Sequence, residues 1–243
     1  MKYKNKEFEK FNINLGKNVF IPRDNIFMYQ KIIKRLGTDE RNFNLLELGT
    51  GTGAISISLA KSFKNAEIVA TDISNSALKN AKENAKINKV DNRIDFKKSN
   101  WFYNLNEEKY DYIVSNPPYL SKENSQHYQN LSDPENSLYS KKRGVHDIFE
   151  IMKNCRKFMK KKSFLIIEHS HNQTLEIKSF SFLKVLILSM LKKMNLGLIE
   201  FQYFQISSSN FMISSLTDPG SAPCEFFNTW PTKKPIIFVL PFL

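Results

Sequence analysis

Two short segments of this chain combine residue types that are suited to binding a ligand and to acting on it. Three of the eight glycines lie in Gly49-Thr50-Gly51-Thr52-Gly53, directly after the apolar run Leu45-Leu46-Glu47-Leu48. Glycine concentrates where the backbone passes close to a ligand or turns with a positive φ angle. The second segment, Asn116-Pro117-Pro118-Tyr119, is a rigid corner that follows another apolar run, Tyr110 to Val114. We expect the first loop to hold a nucleotide-like cofactor and the second to hold a flat polar group of a substrate.

The cofactor loop is followed by two side chains that suit a nucleoside. The glycines lack the G-x-G-x-x-G spacing of the dinucleotide fingerprint, so the loop can lie flat against a cofactor without holding a pyrophosphate. Asp72 lies 19 residues beyond Gly53 at the end of the next apolar run, where an acid accepts ribose hydroxyl groups. Trp101 follows the third predicted strand and can stack on a purine ring.

Each of these side chains also has a purely structural interpretation. Trp101 could be an ordinary core residue, and Asp72 could cap the helix that follows it. Glu47 either orients the amino-acid part of the cofactor or only forms a structural pair. The order of loop, acid and aromatic residue favours the cofactor interpretation over three independent coincidences.

The corner Asn116 to Tyr119 has a specific chemical use. An amide nitrogen, or an exocyclic amino group of a base, is a poor nucleophile because its lone pair is delocalised. Acceptors that hold its N–H groups can turn this lone pair toward a methyl donor, and the Asn116 side-chain oxygen and the Pro117 carbonyl are suitable acceptors. Proline fixes φ and offers no competing N–H, and Tyr119 can pack on the flat group. The corner favours methylation of a planar nitrogen by positioning and electrostatics, although a plain Pro-Pro turn is the structural alternative.

Length and composition are those of one α/β domain with a small appendage. The chain has 243 residues, of which 41% are hydrophobic and 25% charged. Met1 to Lys10 are charged throughout, so we expect no signal peptide there, and the longest apolar stretch is too short to span a membrane. Cys155 and Cys224 have no metal-ligand spacing, so we expect no metal and a cytoplasmic location. The net charge of +12 is compatible with proximity to RNA or the ribosome, although scattered lysines more often form a solvated face.

Alternating apolar runs and helical patterns must position these loops. The predicted helices are Asp24 to Leu36 with Gly37 as its stop, Ala54 to Phe63, a helix capped by Ser74 that ends near Asn88, and Val145 to Lys160. The predicted strands are Phe43 to Leu48, Ala66 to Asp72, Arg93 to Lys97, Tyr110 to Ser115 and Phe164 to Glu168. Leu120 to Lys142 is predicted to be a long loop.

This order predicts a doubly wound α/β fold around a mainly parallel sheet that helices cover on both faces. We divide the chain into a lead-in hairpin and helix (1–37), a central domain (38–206) and an irregular tail (207–243). The regular pattern fails after Ser179, and the sequence gives no basis for placing 226–243 on the sheet.

These motifs resemble the protein-(glutamine-N5) methyltransferases that modify the Gly-Gly-Gln motif of peptide chain release factors. The likeness covers Val19 to Gln173. It rests on the cofactor loop and the corner already quoted, and also on Ile21-Pro22-Arg23, Asn100-Trp101-Phe102 and Leu165-Ile166-Ile167-Glu168-His169. The resemblance implies the class I, Rossmann-like methyltransferase fold. It implies S-adenosylmethionine at Gly49 to Gly53, Asp72 and Trp101, with Asn116 at the reacting end, and a substrate glutamine at Asn116 to Tyr119.

The chain also departs from the family pattern. Asn100 replaces an aspartate, Asp133 replaces the glutamate of a Glu-Pro pair, and Ser170 replaces a glycine. The family's N-terminal helical domain is not expected here, and its closing strand hairpin is not recognisable after Ser179.

Other functions fit part of the same evidence. The corner is shared with amino-methyltransferases that act on DNA or RNA bases, and the basic charge supports such a substrate. Related enzymes methylate a glutamine of a ribosomal protein, and a non-catalytic binding remnant would explain the irregular tail. The Ile21-Pro22-Arg23 and Glu168-His169 segments favour a release factor as the substrate and partner of a monomeric enzyme.

Overall fold

A seven-stranded sheet forms the centre of the protein. The computed structural model describes residues 5–8, 11–17, 19–23, 25–36, 42–122, 133–180, 204–206 and 236–242. The strands of the sheet are β3 Phe43–Leu48, β4 Ala66–Asp72, β5 Ile94–Lys98, β6 Tyr110–Ser115, β7 Met159–His169, β8 Phe204–Ile206 and β9 Ile236–Phe242. They lie in the order β5-β4-β3-β6-β7-β9-β8. The first five of these strands are parallel, and β9 runs antiparallel to β7.

The strand order reverses between β3 and β6. The chain moves outward from β3 to β4 and β5, and then returns to place β6 on the other side of β3. Ligands of open α/β sheets bind beyond the carboxyl ends of the strands at such a reversal. The glycine loop follows β3 and the Asn116 corner follows β6, so the predicted fold brings both motifs to this point.

Helices cover both faces of the sheet, as the continuous apolar runs of the strands predict. One face is covered by α1 Ile26–Arg35, α2 Ala54–Ser62 and α3 Asn75–Ile87, and the opposite face by α5 His146–Asn154. Neighbouring strand residues contribute to opposite cores. Leu45 packs on the side of α1 and α2, whereas Leu46 packs on the side of α5. A single helical turn, α4 Glu135–Leu138, lies within the segment predicted to be a loop.

A two-stranded hairpin, β1 Asn5–Phe8 and β2 Phe11–Asn14, precedes α1. Its Phe8 and Phe11 rings contact Phe27 of α1 at centroid distances of 5.7 and 6.1 Å. The hairpin therefore belongs to the same hydrophobic core as the sheet.

Three asparagines at successive turns of α3 hold β2 through side-chain hydrogen bonds. The Asn84 side chain accepts from the Asn14 amide at 2.9 Å and donates to the Asn14 carbonyl at 3.1 Å. Asn80 accepts from the Gly16 amide at 3.2 Å, and Asn88 donates to the Asn12 carbonyl at 2.8 Å. The helix thus offers β2 the donors and acceptors that a neighbouring strand would provide.

The ends of α1 and α3 follow sequence rules to different degrees. Ser74 caps α3 as predicted, since its hydroxyl accepts from the Ala77 amide at 3.3 Å. The helix ends with Lys89 in a left-handed conformation (φ 57°). Helix α1 begins at Ile26 with Asn25 as a cap that makes no capping side-chain bond, and the predicted cap Asp24 and stop Gly37 lie outside the described residues.

The helix predicted for Val145 to Lys160 is too long, and the following strand is longer than predicted. Helix α5 ends at Asn154, a 3-10 turn covers Cys155–Phe158, and β7 begins at Met159. The buried side chains Cys155, Phe158 and Met159 continue the apolar spacing of the helix, which explains the error. The lysines 160–162 fall where the register between β6 and β7 is irregular.

Part of the tail that the sequence left irregular is a strand of the sheet. β9 pairs along β7 from Ser163 with Phe242 to His169 with Ile236, and β8 pairs with the first half of β9. Pro241 lies beyond the residues that β8 reaches, so on that side no partner amide bond is lost. The run Ile236 to Phe242 is apolar throughout and contains a proline, so it lacks the polar alternation by which a half-buried strand is identified in a sequence.

Candidate active site

A cavity of about 570 Å³ opens at the carboxyl ends of β3, β4, β5 and β6. This volume is in the range of sites for small molecules and cofactors. Ten of the eleven predicted site residues line the cavity: Gly49, Thr50, Gly51, Thr52, Asp72, Trp101, Asn116, Pro117, Pro118 and Tyr119. Gly53 does not line it. Gly53 instead begins α2 in a left-handed conformation (φ 81°), where an added Cβ would approach the Cβ of Ala81 to 3.1 Å.

The glycine loop is held by a buried carboxylate at the end of β3. Glu47 is 1% exposed, and its Oε2 accepts from the Thr50 hydroxyl at 2.7 Å and from the Ser56 amide at 3.1 Å. The Ser56 hydroxyl donates to the same oxygen. The other oxygen, Oε1, has no hydrogen-bond partner among the described residues, and Glu47 lines the cavity.

The electrostatic state of Glu47 follows from this setting. Burial raises the pKa of Glu47 to about 7, while the hydrogen bonds from Ser56 and Thr50 lower it and the nearby Asp72 raises it. A buried acceptor without a partner is costly unless a ligand supplies a donor. Glu47 therefore has both a structural role in the loop and an acceptor that is available to a cationic ligand.

Asp72 also serves the loop and the following helix. Its Oδ2 accepts from the Gly51 amide at 2.9 Å, and its Oδ1 accepts from the Ser74 amide at 2.9 Å. Burial raises the pKa of Asp72, and these backbone donors partly offset that effect. A carboxylate has about four lone-pair positions, so both oxygens can also accept from a ligand.

Trp101 lies in a tight turn after β5. Its φ of 48° is unusual for a bulky residue and marks a conformation that the surroundings must enforce. The Ser99 hydroxyl provides part of that constraint, since it donates to the Trp101 carbonyl at 2.7 Å and accepts from the Asn104 amide at 3.2 Å. The Trp101 ring passes 3.5 Å from the position that a Cβ would take at Gly49. An aromatic face thus lies beside the glycine loop, in the cavity.

The start of the Asn116 corner is fixed by hydrogen bonds of neighbouring residues and not by the Asn116 side chain. The Tyr29 hydroxyl donates to the Ser115 carbonyl at 2.9 Å, and the Ser115 hydroxyl donates to the Leu48 carbonyl at 2.8 Å. The side chain of Asn116 makes no hydrogen bond to any residue that the structure describes, although it lines the cavity. Its amide is therefore available to a ligand.

Tyr119 is held at both ends. Its hydroxyl donates to Glu168 Oε1 at 2.9 Å, and its carbonyl accepts from Gln173 Nε2 at 2.8 Å. Gly144 lies against the same carbonyl, because an added Cβ there would overlap the Tyr119 oxygen. Burial lowers the pKa of His169, the neighbour of Glu168, to about 4. His169 Nδ1 lies 2.8 Å from the Ser170 carbonyl oxygen.

Two segments far apart in sequence form the rim of the cavity. The Asp133 side chain, 1% exposed, accepts from the Ile21 amide at 2.7 Å and from the Arg23 guanidinium at 3.3 Å. Leu120 pairs with the segment after Asp133, donating to the Leu138 carbonyl at 2.9 Å and accepting from Ser140 at 3.0 Å. The sequence segments Ile21-Pro22-Arg23 and Asp133-Pro134 are therefore in contact.

The side chains that line the cavity include more acidic than basic groups, whereas the whole chain is basic. Three carboxyl groups, Glu47, Asp72 and Asp147, line it together with one guanidinium, Arg23. A cavity with this balance favours a cationic occupant even though the protein carries a net charge of +12. The described residues contain no cluster of side chains suited to a metal ion and no helix that is long and apolar enough to cross a bilayer.

Sequence reasoning missed several residues that shape the site. Ile73 lines the cavity and is 58% exposed, and an apolar residue directly after a strand-end acid was its only signal. Ser56 supports Glu47 from the apolar first turns of α2, where a hydroxyl between two isoleucines is the signal that could have identified it. Asp147 accepts from the Ser140 hydroxyl at 2.5 Å, and no local pattern marks this pair.

The sequence of the chain is similar to those of known methyltransferases. Residues 29–132 match the model of the methyltransferase small domain family. The chain is 36% identical over 178 residues to a release factor glutamine methyltransferase of Buchnera aphidicola subsp. Schizaphis graminum, covering 72% of this chain and 63% of that protein. It is 36% identical over 167 residues to a bifunctional methyltransferase of Rickettsia prowazekii, covering 65% of this chain and 31% of that protein. The chain thus spans less than two thirds of the length of either relative.

A solved structure supports the fold independently. The crystal structure of a methyltransferase from Pyrococcus furiosus aligns with a TM-score of 0.59 over 95% of this chain and 88% of that chain, at 13% identity. This likeness concerns the fold alone. The chain has the fold of the class I methyltransferases, and its sequence is similar to those of release factor glutamine methyltransferases.

Proposed function

We propose that this chain methylates the side-chain amide nitrogen of the glutamine in the Gly-Gly-Gln motif of a peptide chain release factor, with S-adenosylmethionine as the methyl donor. One observation carries the proposal. The glycine loop after β3 and the Asn116 corner after β6 line the same cavity of about 570 Å³. The similarity to release factor glutamine methyltransferases supports the choice of substrate.

The cavity residues fit the cofactor group by group. The unpartnered Oε1 of Glu47 suits the ammonium group of the amino-acid part, and the Asp72 carboxylate suits the two ribose hydroxyls. The Trp101 ring beside Gly49 suits the adenine. When bound, S-adenosylmethionine supplies an electrophilic methyl group on a positively charged sulfur. The excess of carboxyl groups in the cavity favours that charge.

The corner supplies what the amide nitrogen of a glutamine needs. The Asn116 side-chain oxygen and the Pro117 carbonyl accept its two N–H groups and thereby orient the nitrogen lone pair. Pro117 and Pro118 have no N–H that could compete for these acceptors. Tyr119 and four rim residues enclose the amide and exclude water: Pro134, Asn136, Ser137 and Leu138. Rate enhancement then comes from orientation and from fixed dipoles.

Mass spectrometry of a release factor tests this function. The factor is incubated with the protein and isotopically labelled S-adenosylmethionine, and we expect one added methyl group on the Gly-Gly-Gln peptide. Asn116→Ala should lower the rate by on the order of 10²-fold, because an oriented acceptor is lost. Asn106→Ala removes an exposed asparagine outside the cavity and should leave the rate unchanged.

Several outcomes would contradict the proposal. The function is refuted if the release factor gains no mass while an established enzyme modifies it in parallel. Label in RNA, with binding that weakens steeply in salt, would identify a base amino-methyltransferase instead. Label only in a purified ribosomal protein would change the substrate. Calorimetry that detects no S-adenosylmethionine binding would indicate a non-catalytic protein.

A further inference from the structure

Helix α1 reaches the substrate corner at two points on one face. Tyr29 donates its hydroxyl to the Ser115 carbonyl at 2.9 Å, immediately before Asn116. Asn25, one turn earlier, donates its side-chain amide to Glu168 Oε2. Residues four apart lie on the same side of a helix, so both contacts come from one surface of α1. Asn25 reaches the corner indirectly: it binds Glu168, which in turn binds the Tyr119 hydroxyl.

Glu168 lies beside the corner in the sheet. Ser115 of β6 is in register with Ile167 of β7, so Asn116 and Glu168 are the next residues of two adjacent parallel strands. Glu168 is 2% exposed and does not line the cavity. A carboxylate is seldom buried unless it is paired or hydrogen-bonded. Its two oxygens each accept one bond, from Tyr119 at 2.9 Å and from Asn25.

Tyr119 is consequently fixed both at its side chain and at its backbone. Glu168 accepts from the hydroxyl of the ring, and Gln173 donates to the backbone carbonyl at 2.8 Å. Gln173 is itself fixed, because its Oε1 accepts from the Ser170 amide at 2.9 Å. Glu168 lies at the end of β7 and Gln173 in the 3-10 turn that follows, so both anchors come from six consecutive residues.

We propose that Glu168 is a positioning residue for methyl transfer, which links Asn25 of helix α1 to the Tyr119 hydroxyl and so holds the ring that packs on the substrate amide. This deepens the proposed function and rests on it, because the ring matters for catalysis only if the amide binds at the corner. Glu168 acts through Tyr119 and does not touch the reacting atoms. Burial raises the pKa of Glu168 to about 7, and the hydrogen bond from Tyr119 and the charge of Arg23 partly offset this rise.

A double-mutant cycle with a conservative rescue tests this role. Glu168→Leu removes both acceptors, whereas Glu168→Gln keeps an oxygen for the Tyr119 hydroxyl and lets the Asn25 amide turn to accept from the new NH₂ group. Tyr119→Phe removes the hydroxyl alone. Glu67→Leu makes the same side-chain change at an exposed position of β4 and is the matched control.

Steady-state kinetics with a Gly-Gly-Gln peptide should separate positioning from general destabilisation. We expect Glu168→Leu to lower kcat by about tenfold or more, with the Kd for S-adenosylmethionine within about twofold of wild type. Glu168→Gln should recover kcat to within about threefold. In the Tyr119→Phe background, Glu168→Leu should lower kcat by less than about a further threefold, because the effects of residues that act as a unit are not additive. Fully multiplicative effects, or a kcat for Glu168→Leu equal to wild type, would overturn the inference.

A measurement that needs no activity completes the test. In protein labelled with ¹³Cζ-tyrosine, the Tyr119 signal is identified by its loss in Tyr119→Phe. It should shift in Glu168→Leu, return toward the wild-type position in Glu168→Gln, and stay in place in Glu67→Leu. If the Tyr119 signal keeps its wild-type position in Glu168→Leu, the link between Glu168 and Tyr119 is overturned. If the signal follows the expected pattern while wild type leaves the release factor unmodified, the proposed function fails and the link between Glu168 and Tyr119 stands.

Discussion

Replacing Glu47 by glutamine should make the protein more stable at alkaline pH and poorer at binding its cofactor. Glu47 is fully enclosed, and burial raises its pKa from 4.5 to about 7. The oxygen of the introduced amide can keep the donors Thr50 and Ser56, while its NH₂ group takes the position of the unpartnered Oε1. The substitution thus removes a buried charge and turns the acceptor that remains for a ligand into a donor.

The size of the effect follows from proton linkage. The folded protein binds the Glu47 proton more tightly than the unfolded chain does, so the free energy of unfolding falls as pH rises from about 4.5 through about 7. A pKa difference of about 2.5 is equivalent to about 3 kcal/mol, of which about 2 to 3 kcal/mol is lost between pH 5 and pH 8. Glu168, whose pKa burial also raises to about 7, contributes equally to both proteins and cancels in the comparison.

Urea unfolding followed by circular dichroism at pH 5 and pH 8 measures this difference. The free energy of unfolding of Glu47→Gln, relative to that of wild type, should be about 2 to 3 kcal/mol larger at pH 8 than at pH 5. Glu67→Gln changes an exposed carboxyl of β4 in the same way and serves as the control. A relative stability that is equal at the two pH values would show that Glu47 is not a destabilised buried acid.

Calorimetry separates the second half of this prediction. Under the proposed function, wild type at pH 8 would present a carboxylate to the ammonium group of S-adenosylmethionine, and Glu47→Gln would present an amide. We expect at least tenfold weaker binding, because a charge-assisted bond is replaced by a donor that faces a donor. Unchanged affinity would remove Glu47 from the cofactor site.

Three further changes test other parts of the structure. Lys89→Gly, at a left-handed position (φ 57°), should raise the free energy of unfolding by about 1 kcal/mol, whereas Lys86→Gly within α3 should lower it by about 1 kcal/mol in the same urea assay. Gly144→Ala should cost more than about 2 kcal/mol and reduce kcat, since its Cβ would overlap the Tyr119 carbonyl; stability and peptide kinetics equal to wild type would contradict this geometry. Asp133→Ala should raise the peptide KM about tenfold while calorimetry gives an unchanged Kd for S-adenosylmethionine, because it frees the rim segments without touching the glycine loop.

The sequence predicts the centre of this fold well because local and global signals agree there. β3, β4 and β6 have the predicted bounds, and β5 differs by one residue at each end. β3, β4 and β6 are mainly apolar runs, and each ends beside glycine, proline or a carboxylate. The glycine loop and the corner meet because parallel strands bring their carboxyl ends to one edge, and the order of the runs already implies that edge.

The remainder depends on contacts that leave no local pattern. Glu168 meets Tyr119 and Asn25 across 49 and 143 positions of sequence, so neither partner could be identified from spacing. The Asp133 contact with Ile21 joins residues 112 positions apart. Periodicity also extended α5 into β7, because the side chains of a 3-10 turn and a strand continued the helical spacing.

Because Asn84 of α3 binds both β2 and the glycine loop, the stability of the hairpin reports on whether the loop holds a ligand. Asn84 Nδ2 donates both to the Asn14 carbonyl of β2 and to the Thr52 carbonyl at 2.9 Å, so one amide group serves both elements. A ligand that stabilises the loop must, by thermodynamic reciprocity, slow the local opening of β2. Amide hydrogen exchange at Asn14 and Gly16, whose protons are held by α3 side chains, therefore reports on occupancy of a cavity that neither residue lines.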